Sequence, residues 1–420
     1  MFIRSTACLG ALLLAAGAAV AQPRFDFERT ATLLPKTVLP SRVQLRLDLD
    51  PAAPTFGGEV TITVRVREPV PAIVLHASEL QADEATLLRE SRPARSLNVA
   101  ADGKTEQWRL TPADGQSIAA GTYRLHIRYR GRVLATGEGL YRVEHRAAGR
   151  PLRMLATQLE ATSARRLFPA FDEPVFRPRF ELEVRAPSEY AVLSNMPLRG
   201  AAVDEGKLRL HRFKPTPPMP SYLVAVAVGH FDVLEGGSGA TPLRIFTAPG
   251  KAGQARLAMQ ATQDVLPFYA RYFGRTYALP KLDQVAVPGV RQGAMEDWGL
   301  ISYIEDALLV DEGRSSPARQ RRVFSIAAHE IAHQWFGNLV SVASWDEAWL
   351  NEAFATWMQQ KASTHFHPEW QTRLYERIDV DGPLDRDSTA ATRAIRSGPV
   401  SESSVFEVFD DILTPRVARC

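Results

Sequence analysis

Residues 329–333 read H-E-I-A-H, and after eighteen further residues Glu352 stands inside W-L-N-E-A-F-A. No other feature of the chain constrains its fold as tightly. On a helix, side chains four apart share a face, so His329 and His333 lie one turn apart, the separation at which two imidazoles reach a single tetrahedral ion. Glu330 lies beside that face without being the natural third ligand. A carboxylate from a second helix, Glu352, completes a His, His, Glu set and leaves a fourth position for water, as catalysis needs. Two helices must then meet with Glu352 aimed at the histidine pair. The competing reading is a plain amphipathic helix whose histidines are surface or hydrogen-bonded core side chains.

The flanking residues supply both helices. Ser316 before Pro317 is a helix start, a hydroxyl N-cap followed by a proline at the first helical position, where its missing N–H costs nothing. Val323, Ile326, Ala327, Ile331 and Phe336 give the apolar positions, and no proline interrupts residues 318–367. Gly337 with Asn338 predicts the end of the first helix. The second is predicted to begin near Asp346 and to carry Glu352 among Trp349, Phe354 and Trp357.

A chain of 420 residues predicts two domains. Over 30–235 apolar residues alternate with polar ones: Val43, Leu45, Leu47, Leu49; Val60, Ile62, Val64, Val66; Tyr123, Leu125, Ile127, Tyr129. Period two predicts a largely antiparallel β domain. Gly236, Gly237 and Gly239 read as a linker. Beyond it, 254–273 is helical in pattern, 284–287 strand-like and 317–361 mostly helical, so 240–412 forms a second, mainly helical domain. The class is α+β multidomain. The stretch 379–404 is polar and marked by glycine and proline.

Three further segments occur upstream in order. Residues 293–299 read G-A-M-E-D-W-G, residues 157–174 read T-Q-L-E-A-T-S-A-R-R-L-F-P-A-F-D-E-P, and residues 277–288 read Y-A-L-P-K-L-D-Q-V-A-V-P. With the histidine motif they resemble the M1 (gluzincin) zinc aminopeptidases, over roughly 35–412. That resemblance implies a saddle-like N-terminal β domain followed by a thermolysin-like catalytic domain. It implies one Zn2+ held by His329, His333 and Glu352, with Glu330 as general base. It places Glu296, Glu160 and Gln158 around the substrate's free α-amino group, with Gly293, Ala294 and Met295 in the exopeptidase motif, and it implies peptides with a free N-terminus as substrates. A cluster of carboxylates beside the metal distinguishes a charged N-terminus from an internal amide, which would leave them unpaired.

The sequence departs from the family in places. The family's oxyanion-stabilising tyrosine belongs to a segment resembling F-D-D-I-x-Y-x-K-G, whereas this chain reads F-D-D-I-L-T-P-R-V-A-R-C, with Thr414 in the tyrosine's place. The match ends at Ile412, residues 413–420 form an aberrant tail, and a truncated catalytic domain with weak or no turnover is expected, since one lost oxyanion donor costs about a hundredfold or more. Asp297 replaces the usual asparagine and lacks its donors, and Ala353 replaces a glycine. Two other functions remain open: a non-catalytic zinc-bound peptide binder, and an epoxide-hydrolase-like relative.

Residues 1–21 read as a secretory signal, with Arg4, an apolar stretch from about Ala7 to Val20, and Ala19-Val20-Ala21 as the cleavage site. Export to the periplasm, or secretion, is expected. Cleavage removes Cys8 and leaves Cys420 alone, so no internal disulfide is possible. The formal charge of +3 falls to +2 with the loss of Arg4. That balance is too small to imply nucleic acid, and no stable membrane association is expected.

Overall fold

The computed structural model describes residues 25–289, 293–311 and 313–374, with a few positions between 381 and 394. The predicted signal segment, Thr414 and the tail lie outside the described residues, as does most of 379–404.

The strands of the described residues form three sheets, and the alternation seen over the first half becomes two of them. In the largest, of ten strands, Val38–Asp48 and Thr55–Val66 form a hairpin that Gly121–Arg132 and Leu80–Leu88 extend on one side. Arg179–Pro187 joins on the other side as its parallel pair, the exception to the antiparallel expectation. Each predicted run presents one face inward: Leu47, Val60, Ile62, Val64, Leu125 and Ile127 are fully buried. Burying each such side chain contributes about 1.5–3 kcal/mol before chain entropy is set against it. A four-stranded sheet orders Ala191–Ser194, Val226–Gly229, Arg150–Gln158 and Gly139–Ala147.

The third sheet belongs to the second half and has five strands: Asp232–Ser238, Thr241–Thr247, Leu282–Val287, Leu300–Ile304 and the short Ala294–Met295. All six residues of Leu282–Val287 are buried. It runs parallel to both neighbours, and such strands show no alternation, which is why only part of it is legible in the sequence. The predicted glycine linker is corrected here. Gly236 and Gly237 pair with Leu243 and Pro242 inside a hairpin, and Gly239 makes its turn at φ +59°. A Cβ on Gly236 would lie 2.6 Å from Met259 Sδ, so glycine serves close packing of a helix on the hairpin.

That helix is α1, Arg256–Phe273. A single turn, α2 (Glu305–Leu308), precedes α3, Pro317–His333, whose N-cap Ser316 accepts a hydrogen bond from Arg319 N as expected. Helix α3 ends at His333, four residues short of the predicted Gly337, because a tightened turn follows in which Trp335 N bonds Ala332 O, and a wider one then closes with Asn338 N on His333 O. Helix α4, Trp349–Phe366, follows a 3-10 turn at Trp345–Glu347. Small buried residues, Ala327, Ala328 and Ala332 on α3 and Ala355 and Ala362 on α4, belong to one core and allow the two helices to approach closely. Among the described residues no helix is long and apolar enough to cross a membrane.

The two halves are joined by buried polar contacts as well as apolar ones. Lys281 donates to the carbonyls of Ser194 (2.7 Å) and Gly299 (2.6 Å) and pairs with Asp283 at 2.9 Å.

Candidate metal and peptide site

Helical periodicity puts His329 and His333 on the face of α3 that meets α4. Their Nε2 atoms lie 3.0 Å apart, and Glu352 lies 3.3 Å from His329 Nε2 and 3.7 Å from His333 Nε2. One donor atom from each of the three falls within 4.8 Å of the others. The Nδ1 of His333 lies 3.0 Å from the carbonyl of Phe336. That carbonyl only accepts, so Nδ1 carries the proton and Nε2 presents its lone pair to the cluster. Two imidazole nitrogens and a carboxylate converging on one point suit a tetrahedral zinc with a vacant fourth position. The three residues therefore fit the ion that the sequence suggests.

Carboxylates crowd this triad. Glu160, Glu296 and Glu352 offer oxygens within 4.8 Å of one another, and so do Glu296 and Glu330 with His333. Glu296 and Glu330 are buried, and one oxygen each of Glu160 and Glu296 has no hydrogen-bond partner. Burial, reinforced by repulsion from Glu296 and Glu352, pushes Glu330 well above the usual carboxylate range. Burial with repulsion from Glu296, Glu352 and Glu330 does the same to Glu160. Burial also raises Glu296, against the pull of His333. Glu352 goes the other way: burial would raise it, but the His333 and His329 imidazoles outweigh that and hold it at about 2. Glu352 is thus shifted toward its ionised form and the carboxyls around it toward proton retention.

Each predicted residue can be placed. Glu160 follows the strand Arg150–Gln158 and is joined to Ala161 by a cis peptide. Glu296 follows the short strand Ala294–Met295, and the carbonyl of Gly293 accepts from Ile304 N. Gln158, Ala294 and Met295 line a cavity of about 440 Å³ together with Tyr141, Ser302 and Tyr303. The Oε1 of Gln158 is buried without a partner. Asp297 is buried, and its carboxylate accepts from Ser302 at 3.3 Å. Burial and the adjacent Glu296 push it well up. Its other oxygen has no hydrogen-bond partner.

Several residues of this site escape sequence reasoning. Gln334 bridges the carbonyls of Glu296 and Glu330, both at 3.2 Å, and receives Gly299 N at 3.4 Å. Asn338 adds a second donor to the Glu296 carbonyl at 2.9 Å. These two amides clamp the Glu296 backbone to the end of α3. Gly337, at φ +122°, packs against the ring of His333: a Cβ there would lie 3.3 Å from its Nδ1. The only sequence signal is polar side chains set among Trp335, Phe336 and Leu339, which is too weak to assign a partner.

With the geometry established, comparison with known proteins gives a consistent picture. Residues 39–223 match the Peptidase M1 N-terminal domain and residues 257–415 the Peptidase family M1 domain. Aminopeptidase N of Acetobacter pasteurianus is 38% identical over 340 residues, covering 80% of this chain and 94% of that protein. The chain belongs to peptidase family M1. Aminopeptidase M1-D of Oryza sativa subsp. japonica is 36% identical over 380 residues, and endoplasmic reticulum aminopeptidase 1 of Homo sapiens 34% over 385. The chain spans less than half the length of these last two, 43% and 41%, while 90% of it is matched in each case.

Proposed function

We propose that the chain is a zinc-dependent aminopeptidase of weak turnover that removes residues one at a time from peptides with a free N-terminus. The observation carrying this reading is the pair of unpartnered, buried carboxylate oxygens of Glu160 and Glu296 beside the His329, His333 and Glu352 triad. An α-ammonium placed among them relieves their mutual repulsion, whereas an internal amide leaves them buried and unpaired. The names of the relatives, all aminopeptidases, support the same reaction class.

Zinc, when bound, supplies a Lewis acid and a water acidified toward neutrality. The protein's own residues do the rest. Glu330, buried and with a raised pKa, suits the task of taking the water's proton and delivering it to the departing amine. Glu296 and Glu160 fix the N-terminus and so set which peptide bond faces the base. Gln334 and Asn338 hold Glu296 in register with α3. Gln158 assists Glu296 and Glu160 at the amine, and Met295, lining the adjoining cavity, takes up the first side chain. Export through the segment 1–21 completes the proposal and places this activity outside the cytoplasm.

The test is hydrolysis of alanine p-nitroanilide and its N-acetyl form by the purified chain, with and without chelator. Zinc-dependent cleavage of the free amine alone supports the reading. Equal cleavage of the acetylated form contradicts amine recognition, and zinc binding with no turnover of either contradicts the enzyme in favour of a peptide binder.

A further inference from the structure

We infer that Tyr222, a residue of the N-terminal half, is a positioning residue for the metal site, tying the wall behind His333 to the helix that carries Glu352. The inference rests on the reading of His329, His333 and Glu352 as zinc ligands. Tyr222 is 1% exposed and sits in a 3-10 turn, Ser221–Leu223. Its hydroxyl donates to the carbonyl of Gly337 at 3.2 Å and receives Asn351 Nδ2 at 3.4 Å. Gly337 is the residue pressed against the His333 ring, and Asn351 immediately precedes Glu352. The ring lies 5.1 Å from that of Trp345, in the turn leading into α4. One phenol thus meets the loop after α3, the start of α4 and the turn between them. It sets the spacing between two ligands without touching either.

The turn that holds Tyr222 is itself anchored to the loop carrying Glu160. Ser221 Oγ donates to Asp172 at 2.6 Å, and the fully buried Arg165 bonds the other oxygen of Asp172 at 2.9 Å. Arg165 lies five residues after Glu160, in the 3-10 turn Ala164–Arg166. A continuous buried polar path therefore runs from the amine-facing loop through Asp172, Ser221 and Tyr222 to Gly337 and Asn351. Buried networks of this kind are rigid when every member is satisfied, and partners behind metal ligands govern ligand orientation.

The experiment compares the full chain with Tyr222→Phe and Tyr129→Phe, measuring zinc affinity by competition with a chromophoric chelator and Tm with and without zinc. Tyr129 also buries its hydroxyl, donating to Leu167 O at 3.0 Å, and serves as the control. The expected result is about a tenfold to hundredfold weaker zinc affinity for Tyr222→Phe, a smaller zinc-induced rise in Tm, and an altered visible spectrum of the cobalt-substituted protein. Tyr129→Phe is expected to lower Tm with and without zinc alike and to leave affinity and spectrum unchanged. Unchanged zinc affinity and cobalt spectrum in Tyr222→Phe overturn the inference, whatever happens to Tm. Absence of zinc binding in the unmodified chain, or zinc binding that survives His329→Ala, would instead overturn the ligand assignment on which it rests.

Discussion

Glu330 is placed next to a ligand in sequence and beside the metal site in space, and burial keeps its carboxyl ready to hold a proton. Glu330→Gln keeps the shape and removes the base, so turnover is expected to fall by about a hundredfold to ten-thousandfold with one zinc retained per chain. Loss of zinc with loss of activity would show a structural role instead. In the proposed function Glu296 holds the substrate's α-ammonium. In Glu296→Gln a charge-assisted hydrogen bond of about 1.5–3 kcal/mol is lost, and kcat/KM for free N-termini is expected to fall about tenfold to a hundredfold. At this scale the sequence is uneven as a guide. His329, Glu330, His333 and Glu352 are legible because helical spacing forces the histidines onto one face. Glu160 and Glu296 lie in loops just past strands, where no period points to a target, and only the family resemblance singles them out. Tyr222, Gln334 and Asn338 act through backbone carbonyls of distant residues, which leave no mark on local pattern.

Between elements, the segment from His333 to Trp349 decides whether α3 and α4 present their ligands together. Gly337 adopts φ +122°, a conformation closed to alanine without strain. Gly337→Ala is expected to destabilise the fold by about 1–3 kcal/mol and to weaken zinc binding, because the added Cβ presses on the His333 ring. Urea unfolding and chelator competition check both, and unchanged zinc affinity would separate the loop from the site. Most elements were readable from pattern: the alternating strands, the start of α3 and the existence of α4. The hairpin at Gly236 is not legible, because glycine in a sequence signals freedom, while here it makes room for Met259 of α1. Such packing is a property of two elements and cannot be seen in one.

Over the whole molecule, two loops and two helices deliver ionisable groups to one buried cluster, and its charge balance affects stability. For Glu330, Glu160, Glu296 and Asp297 the folded pKa lies above the unfolded one. Above about pH 4.5 the folded state then binds more protons than the unfolded one, so stability falls as pH rises. Glu352, held at about 2, has the opposite sign, and its contribution is lost as pH falls below about 4.5. The chelator-treated protein is therefore expected to be most stable in mild acid and to lose stability between about pH 5 and 8, while zinc restores more stability at pH 8 than at pH 5. Urea titrations at the two pH values check this, and a metal-free protein that gains stability toward pH 8 would contradict it. The central claim, that α3 and α4 bring His329, His333 and Glu352 together as one zinc centre, is tested most directly by anomalous diffraction at the zinc absorption edge. The account predicts a single peak at about 2.0–2.2 Å from His329 Nε2, His333 Nε2 and a Glu352 oxygen; a peak elsewhere, or none at saturating zinc, would contradict it.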